Sequence, residues 1–121
     1  MDWISTILRV FFALILGGSG IYHFVNPDFF MPLMPDFIPA HKLMIYLSGV
    51  AEIIVAIALF ITPVQGLAAW GVMFLLIIFT PIHILDMLKD KPAIGSKRMA
   101  VNRLIMQFAM LGMAFYLLPA P

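Results

Sequence analysis

Arg9, Glu52 and His83 lie inside long apolar runs of this sequence. At such positions an ionisable side chain costs at least about 2.5 to 3.5 kcal/mol on membrane-insertion scales unless it is paired or hydrated. Arg9 lies about two helical turns into the first run and Glu52 near the middle of the second. If neighbouring helices run in opposite directions, the two charges reach similar depths, and an Arg9 to Glu52 ion pair is the arrangement of lowest energy. At about 100° per residue, Ala13, Leu16, Gly20 and His23 share a face with Arg9, while Ile45, Ser48, Ala56 and Leu59 share one with Glu52. The small residues Gly17, Gly18, Ser19, Gly20, Ser48 and Gly49 flank both charges and allow close approach of two helices. Two readings follow for Arg9, His23, Ser48 and Glu52: a structural ion pair that fixes helix order, or a polar site for a ligand or a proton.

His83 follows Pro81, which removes the donor to the Ile77 carbonyl and places a kink beside an ionisable ring. His83 therefore joins the candidate site residues. Asp86, one turn further on, reads as a solvated helix end. His23, His41 and His83 fall near one side of the chain, but their spacing matches no metal motif and no metal is expected. Asn102 and Gln107 are about 140° apart on a helix, so they cannot line one cavity. Asn102 faces with Met106, Ala109, Met113 and Tyr116, and Gln107 with Arg103. The ten methionines read as packing rather than copper ligands. The absence of cysteine excludes thiol and disulfide chemistry by the chain itself. No nucleophile with a base, no phosphate loop and no basic nucleic-acid surface is present.

The elements that carry these residues follow from composition. Of 121 residues, 64% are hydrophobic and 11% charged, far from the balance of a soluble domain. Four apolar runs, at about residues 3–25, 42–62, 66–88 and 97–118, are each long enough to cross a bilayer. The expected fold is all-α: a single domain over residues 1–121, an integral membrane up-and-down four-helix bundle. The first run lacks a basic leader and is expected to remain as a span. Trp3 and Tyr22 serve as interface anchors. Asn26 is placed to cap a short helix with Pro27 at its first position. Pro27, Pro32, Pro35 and Pro39 bar a long helix over 26–41, so this segment is an interfacial connector or a lid over the bundle mouth. Pro63 ends the second helix, and Ser96 caps the fourth.

Lys42, Lys89, Lys91, Lys97, Arg98 and Arg103 lie in or beside the two odd-numbered loops, and Arg9 alone belongs to the other half. The positive-inside rule then puts loops 26–41 and 89–97 in the cytoplasm and both termini outside, in a cell membrane, for a bacterium the inner one.

Residues Ser19 to Phe30, then Pro35, Phe37, Ile38 and Pro39, then Ser48, Gly49, Val50, Ala51 and Glu52 together resemble the DoxX family of small four-helix membrane proteins, in its DoxX-like branch. The resemblance implies the four-helix fold and a range of roles. These include quinone-linked sulfur oxidation, membrane complexes of soluble redox enzymes, methylamine-utilisation maturation and, in animals, NACHO-type receptor assembly. The cysteine pair of the related quinone reductases has no counterpart here. The expected function is a non-enzymatic accessory or assembly factor whose partners are lipid and other membrane proteins or itself, with no nucleic acid and no obligatory cofactor. The alternatives are a redox subunit that holds a quinone or lipid at His23, Glu52 or His83, and a small proton-coupled transporter.

Overall fold

The computed structural model describes residues 2–120. Four long helices account for most of the chain: α1 (Trp3–Val25), α2 (His41–Ala58), α3 (Gln65–Leu88) and α4 (Lys97–Leu117). Short 3-10 turns at Pro27–Phe29, Met31–Leu33 and Thr62–Val64 fill the connections. No strand occurs among the described residues.

Local chemistry explains the helix ends. Asp2 caps α1 by accepting from the Ser5 amide at 2.6 Å, a bond that holds its carboxyl below the ordinary aspartate range. Ser96 caps α4 by accepting from the Met99 amide at 3.3 Å. Asn26 does precede a 3-10 turn with Pro27 at its start, but its side chain donates to the Tyr22 hydroxyl instead of capping. Helix α2 stops at Ala58, short of the expected 62. Pro63 has no N–H to offer the Leu59 carbonyl four residues back, and Gln65 Nε2 supplies that donor at 3.0 Å. At the other end of α2, Ala40 holds φ at 49°, a left-handed conformation that turns the proline-rich segment into the helix at a cost of about 1–2 kcal/mol for a residue with a Cβ.

Helix α1 packs against α2 and α3 against α4, while α2 meets α3 and α1 meets α4 to close the ring. Phe12, Leu16, Leu59, Val72, Leu76 and Ala114 form the centre. The tightest point is where Gly20 of α1 crosses Gly49 of α2. A Cβ at Gly20 would stand 2.8 Å from the Gly49 carbonyl oxygen, and one at Gly49 would stand 2.9 Å from the Gly20 carbonyl oxygen and 2.8 Å from His23 Cβ. These two backbones touch because neither residue has a side chain.

Lys89 Nζ donates to the Pro32 carbonyl at 3.1 Å, so the 26–40 and 89–96 connections meet at one end. Tyr116 donates to Asp2 at 3.3 Å and ties the start of α1 to the end of α4. Much of the outer surface is apolar, with Leu14, Leu67 and Phe115 more than two-thirds exposed, and four helices are long and apolar enough to cross a membrane.

Gly49→Ala should lower thermal stability in detergent by about 1–3 kcal/mol, the usual effect of overfilling a packed contact. Gly112→Ala, at a position where an added Cβ meets nothing within 4 Å, should be neutral or stabilising, because alanine is the better helix former.

Candidate functional site

The glycine crossing sets the register of α1 against α2. With Gly20 beside Gly49 and Gly17 beside Ala56, Glu52 falls level with Ser19 and Gly20. Its nearest ionisable group is His23, with Nδ1 and Oε2 3.8 Å apart. His23 is 6% exposed and Glu52 3% exposed, among the few buried polar residues of the chain. The Nδ1 atom lies 2.6 Å from the Ser19 carbonyl oxygen, which can only accept, so Nδ1 carries the hydrogen and donates it there. At 3.8 Å the Glu52 oxygen is outside hydrogen-bond range, and it has no other hydrogen-bond partner among the described residues. Phe30, from the proline-rich segment, stacks flat on the His23 ring with centroids 3.9 Å apart. The segment therefore folds back over the end of α1 and α2, packing its turns on both helices.

The expected Arg9 to Glu52 pair is not formed. Arg9 is about ten residues from the level of Glu52 along α1, a separation of about 15 Å, beyond the reach of an arginine side chain. Matching depths by counting from the helix starts misplaced α2 relative to α1, because the sequence alone did not show which glycines touch. Arg9 Nη1 is buried without a hydrogen-bond partner among the described residues. Ser48, also expected at the site, turns its hydroxyl back to the Met44 carbonyl at 2.6 Å. His83 lies on α3 with its Nδ1 buried and unpartnered. It forms no hydrogen bond or ion pair with His23 or Glu52 and instead neighbours Asp86 and Arg103.

Asp86 corrects a further expectation. Rather than a solvated helix end it is 1% exposed. One oxygen accepts from Arg103 Nη2 at 3.0 Å and the other from the Ala93 amide at 2.8 Å, with Lys89 Nζ 3.8 Å away. The loop after α3 folds back to cover the carboxylate, and Arg103 reaches it from α4. The spacing of Gln107 with Arg103 on one face of α4 was the available signal, since that face had to meet α3. Gln107 does so by donating to the Leu76 carbonyl and the Thr80 hydroxyl at 3.4 and 3.3 Å. Among the described residues no cluster of three metal-ligating side chains occurs.

Two open apolar grooves, each about 350 to 360 Å³, run along the outside. One lies between α2 and α3 beside Trp70 and Phe74, the other between α1 and α2 beside Gly17, Ile53 and Phe60. Neither is lined by His23 or Glu52, so the buried pair is a packed junction rather than the floor of either groove. What the arrangement can do chemically is exchange a proton or offer a hydrogen bond to a group that displaces Phe30.

The chain belongs to the family of the domain of unknown function DUF8561, whose model matches residues 12–118. That stretch contains His23, Phe30, Glu52, Asp86 and Arg103 but leaves Arg9 outside. No curated protein and no solved structure matches the chain.

Two double-mutant cycles separate the observed pairs from the expected one. The Asp86 and Arg103 cycle should show coupling in thermal melts, with Arg103→Ala costing about 1–3 kcal/mol because the buried Asp86 keeps only the Ala93 amide and the nearby Lys89. The Arg9 and Glu52 cycle should show none.

Proposed function

We propose that this chain is a four-span integral membrane protein, folded as an up-and-down bundle, that binds other membrane proteins as an accessory or assembly factor without enzymatic chemistry of its own. Four long apolar helices with outward-facing Leu, Ile and Phe side chains support the membrane reading. The 89–96 connection, which bears Lys89 and Lys91, meets the 26–40 connection, which Lys42 follows in α2, at one end, and this supports the orientation with 26–41 and 89–97 in the cytoplasm and both termini outside. The resemblance of Ser19 to Glu52 to DoxX-like proteins points the same way.

The observation that carries the partner reading is the outer face of α4. Gly20, Gly49 and Gly71 each lie where a Cβ would crowd a neighbouring helix, whereas at Gly112 it would meet nothing within 4 Å. Asn102, Ala109 and Gly112 are exposed on α4 together with Ile105 and Tyr116. In lipid, helices associate through small residues that admit a second backbone and through side-chain amides that need a partner. A transmembrane helix of another membrane protein would meet both conditions.

A second reading is favoured by one specific observation, the unpartnered Glu52 oxygen beside His23: a quinone-like head group held under Phe30. Quinone copurifying in stoichiometric amount would put that reading first.

A photoreactive residue at Ala109 should give a discrete adduct with a heterologous membrane protein in native membranes, lost in Gly112→Leu, while the same residue at Ile57 on α2 should give lipid adducts alone. Lipid adducts at both positions would contradict the reading. A sole adduct of twice the chain's mass would replace it with self-association.

A further inference from the structure

We propose that Glu52 is a proton-binding site inside the bundle, loaded through His23 from the side that Phe30 closes; this rests on reading the chain as membrane-spanning. The Ser19 side chain hydrogen-bonds the carboxyl, but no permanent cation reaches it among the described residues. Glu52 is 3% exposed, one of its oxygens has no hydrogen-bond partner, and among the described residues no lysine or arginine comes within ion-pair distance of it.

Apart from His23, the ionisable groups on the elements packed against α2 are engaged elsewhere or distant: the Tyr22 hydroxyl accepts from Asn26, and Tyr46 stacks on Phe24. From α1, His23 faces Glu52 at 3.8 Å, and Arg9 is about 15 Å away along the helix. On α2 itself, His41 bonds the Pro35 carbonyl, and Lys42, about 15 Å from Glu52, pairs with Asp28. Asp28, in the first 3-10 turn, has a side chain 82% exposed. On α3, Asp86 is engaged by Arg103, with His83 beside them. His23 is thus the one ionisable group in position to exchange a proton with Glu52.

In an interior of low dielectric constant, a lone carboxylate or a lone imidazolium is strongly disfavoured. The pair is tolerable as neutral acid with neutral imidazole, or as carboxylate with imidazolium, and one proton shift separates these states. His23 is built to serve as the intermediary. Its Nδ1–H is held by the Ser19 carbonyl, which leaves Nε2 with the lone pair in the neutral ring. A proton from water adds to Nε2, giving imidazolium. Rotation of the Glu52 side chain closes the 3.8 Å gap, the Nδ1 proton passes to the carboxylate, and the neutral ring, now with its hydrogen on Nε2, gives that proton to water as it takes another at Nδ1 to restore the bond to the Ser19 carbonyl. One proton leaves the water and one O–H bond forms on Glu52.

Phe30 controls the first of these steps. Its ring covers the His23 ring at an interplanar angle of 17°, and it is carried by the segment that Lys89 holds through the Pro32 carbonyl. The outer groove between α1 and α2, lined by Gly17 and Ile53, lies next to the pair on the lipid side.

Carbodiimides, which attack the protonated form of a carboxyl, read out this site without an assay of function. In membranes, the apolar dicyclohexylcarbodiimide should modify Glu52, by peptide mass, and the modification should fall progressively as the pH is raised. His23→Gln removes the available cation and should move the midpoint to higher pH. A water-soluble carbodiimide with an amine nucleophile should label exposed Asp28 and Asp90 but spare Glu52, until Phe30→Ala raises Glu52 labelling several-fold. Modification of Glu52 that does not vary with pH, no modification by the apolar reagent at any pH, or equal aqueous labelling with and without Phe30 would overturn the proposal. Because the wild-type pH profile needs no variant, a variant that fails to fold does not blunt the test. Release of the protein from membranes by alkaline carbonate would fail the membrane reading separately, and the same pH profile in detergent would still decide the proton site.

Discussion

The backbone contact between Gly20 and Gly49 is the constraint on which the other polar features of this molecule depend. Two helices that touch at their main chains cannot slide, since a shift of one residue would drive Ser19 or Ile21 into the space now occupied by a carbonyl oxygen. The contact therefore fixes which side chains of α1 and α2 are level. It brings His23 and Glu52 together, it carries Gly17 to Ala56, and it leaves Arg9 about three turns away from the charge it was expected to meet. In a bilayer this weight on small residues is physically reasonable, because lipid is as apolar as leucine and burial of apolar area gives helices little reason to associate.

The two halves of the bundle solve the problem of buried polarity differently. Between α3 and α4 the carboxylate of Asp86 is satisfied by a guanidinium, a backbone amide and a nearby ammonium group. Such a cluster acts as a clamp between the two helices. Between α1 and α2 the carboxyl of Glu52 has no permanent cation and no backbone amide but a histidine and the Ser19 side chain instead. The contrast within one small protein distinguishes a structural charge from one left available. The proline-rich segment links the two halves, with Phe30 on His23 at one point and Pro32 bonded to Lys89 at another.

The four helices, the cap at Ser96, the short turn that Pro27 opens, and the break formed by four prolines were legible because each is a local property of composition, periodicity or φ restriction. Helix α2 proved shorter because a side chain, Gln65, repaired the carbonyl that Pro63 left open, and such a repair is invisible to pattern reading. The small residues around Arg9 and Glu52 were recognised as a helix crossing, and His23 and Glu52 were both placed among the candidates. The pairing itself was not legible, since periodicity gives the face of a residue but not its depth relative to another helix. Asp86 was misjudged for a related reason. Its position near a helix end suggested water, whereas the loop from Lys89 to Ser96 folds back and covers it.

The register of α1 against α2 can be measured directly in this cysteine-free chain. An ideal Cβ at Gly17 lies 3.7 Å from Ala56 Cβ, within the range of about 3.5–4.5 Å that a disulfide requires. The Gly17→Cys, Ala56→Cys variant should form an intramolecular disulfide in membranes on mild oxidation, while the Arg9→Cys, Glu52→Cys variant should remain reduced. Oxidation of the second pair with none in the first would place Arg9 level with Glu52 and contradict the account.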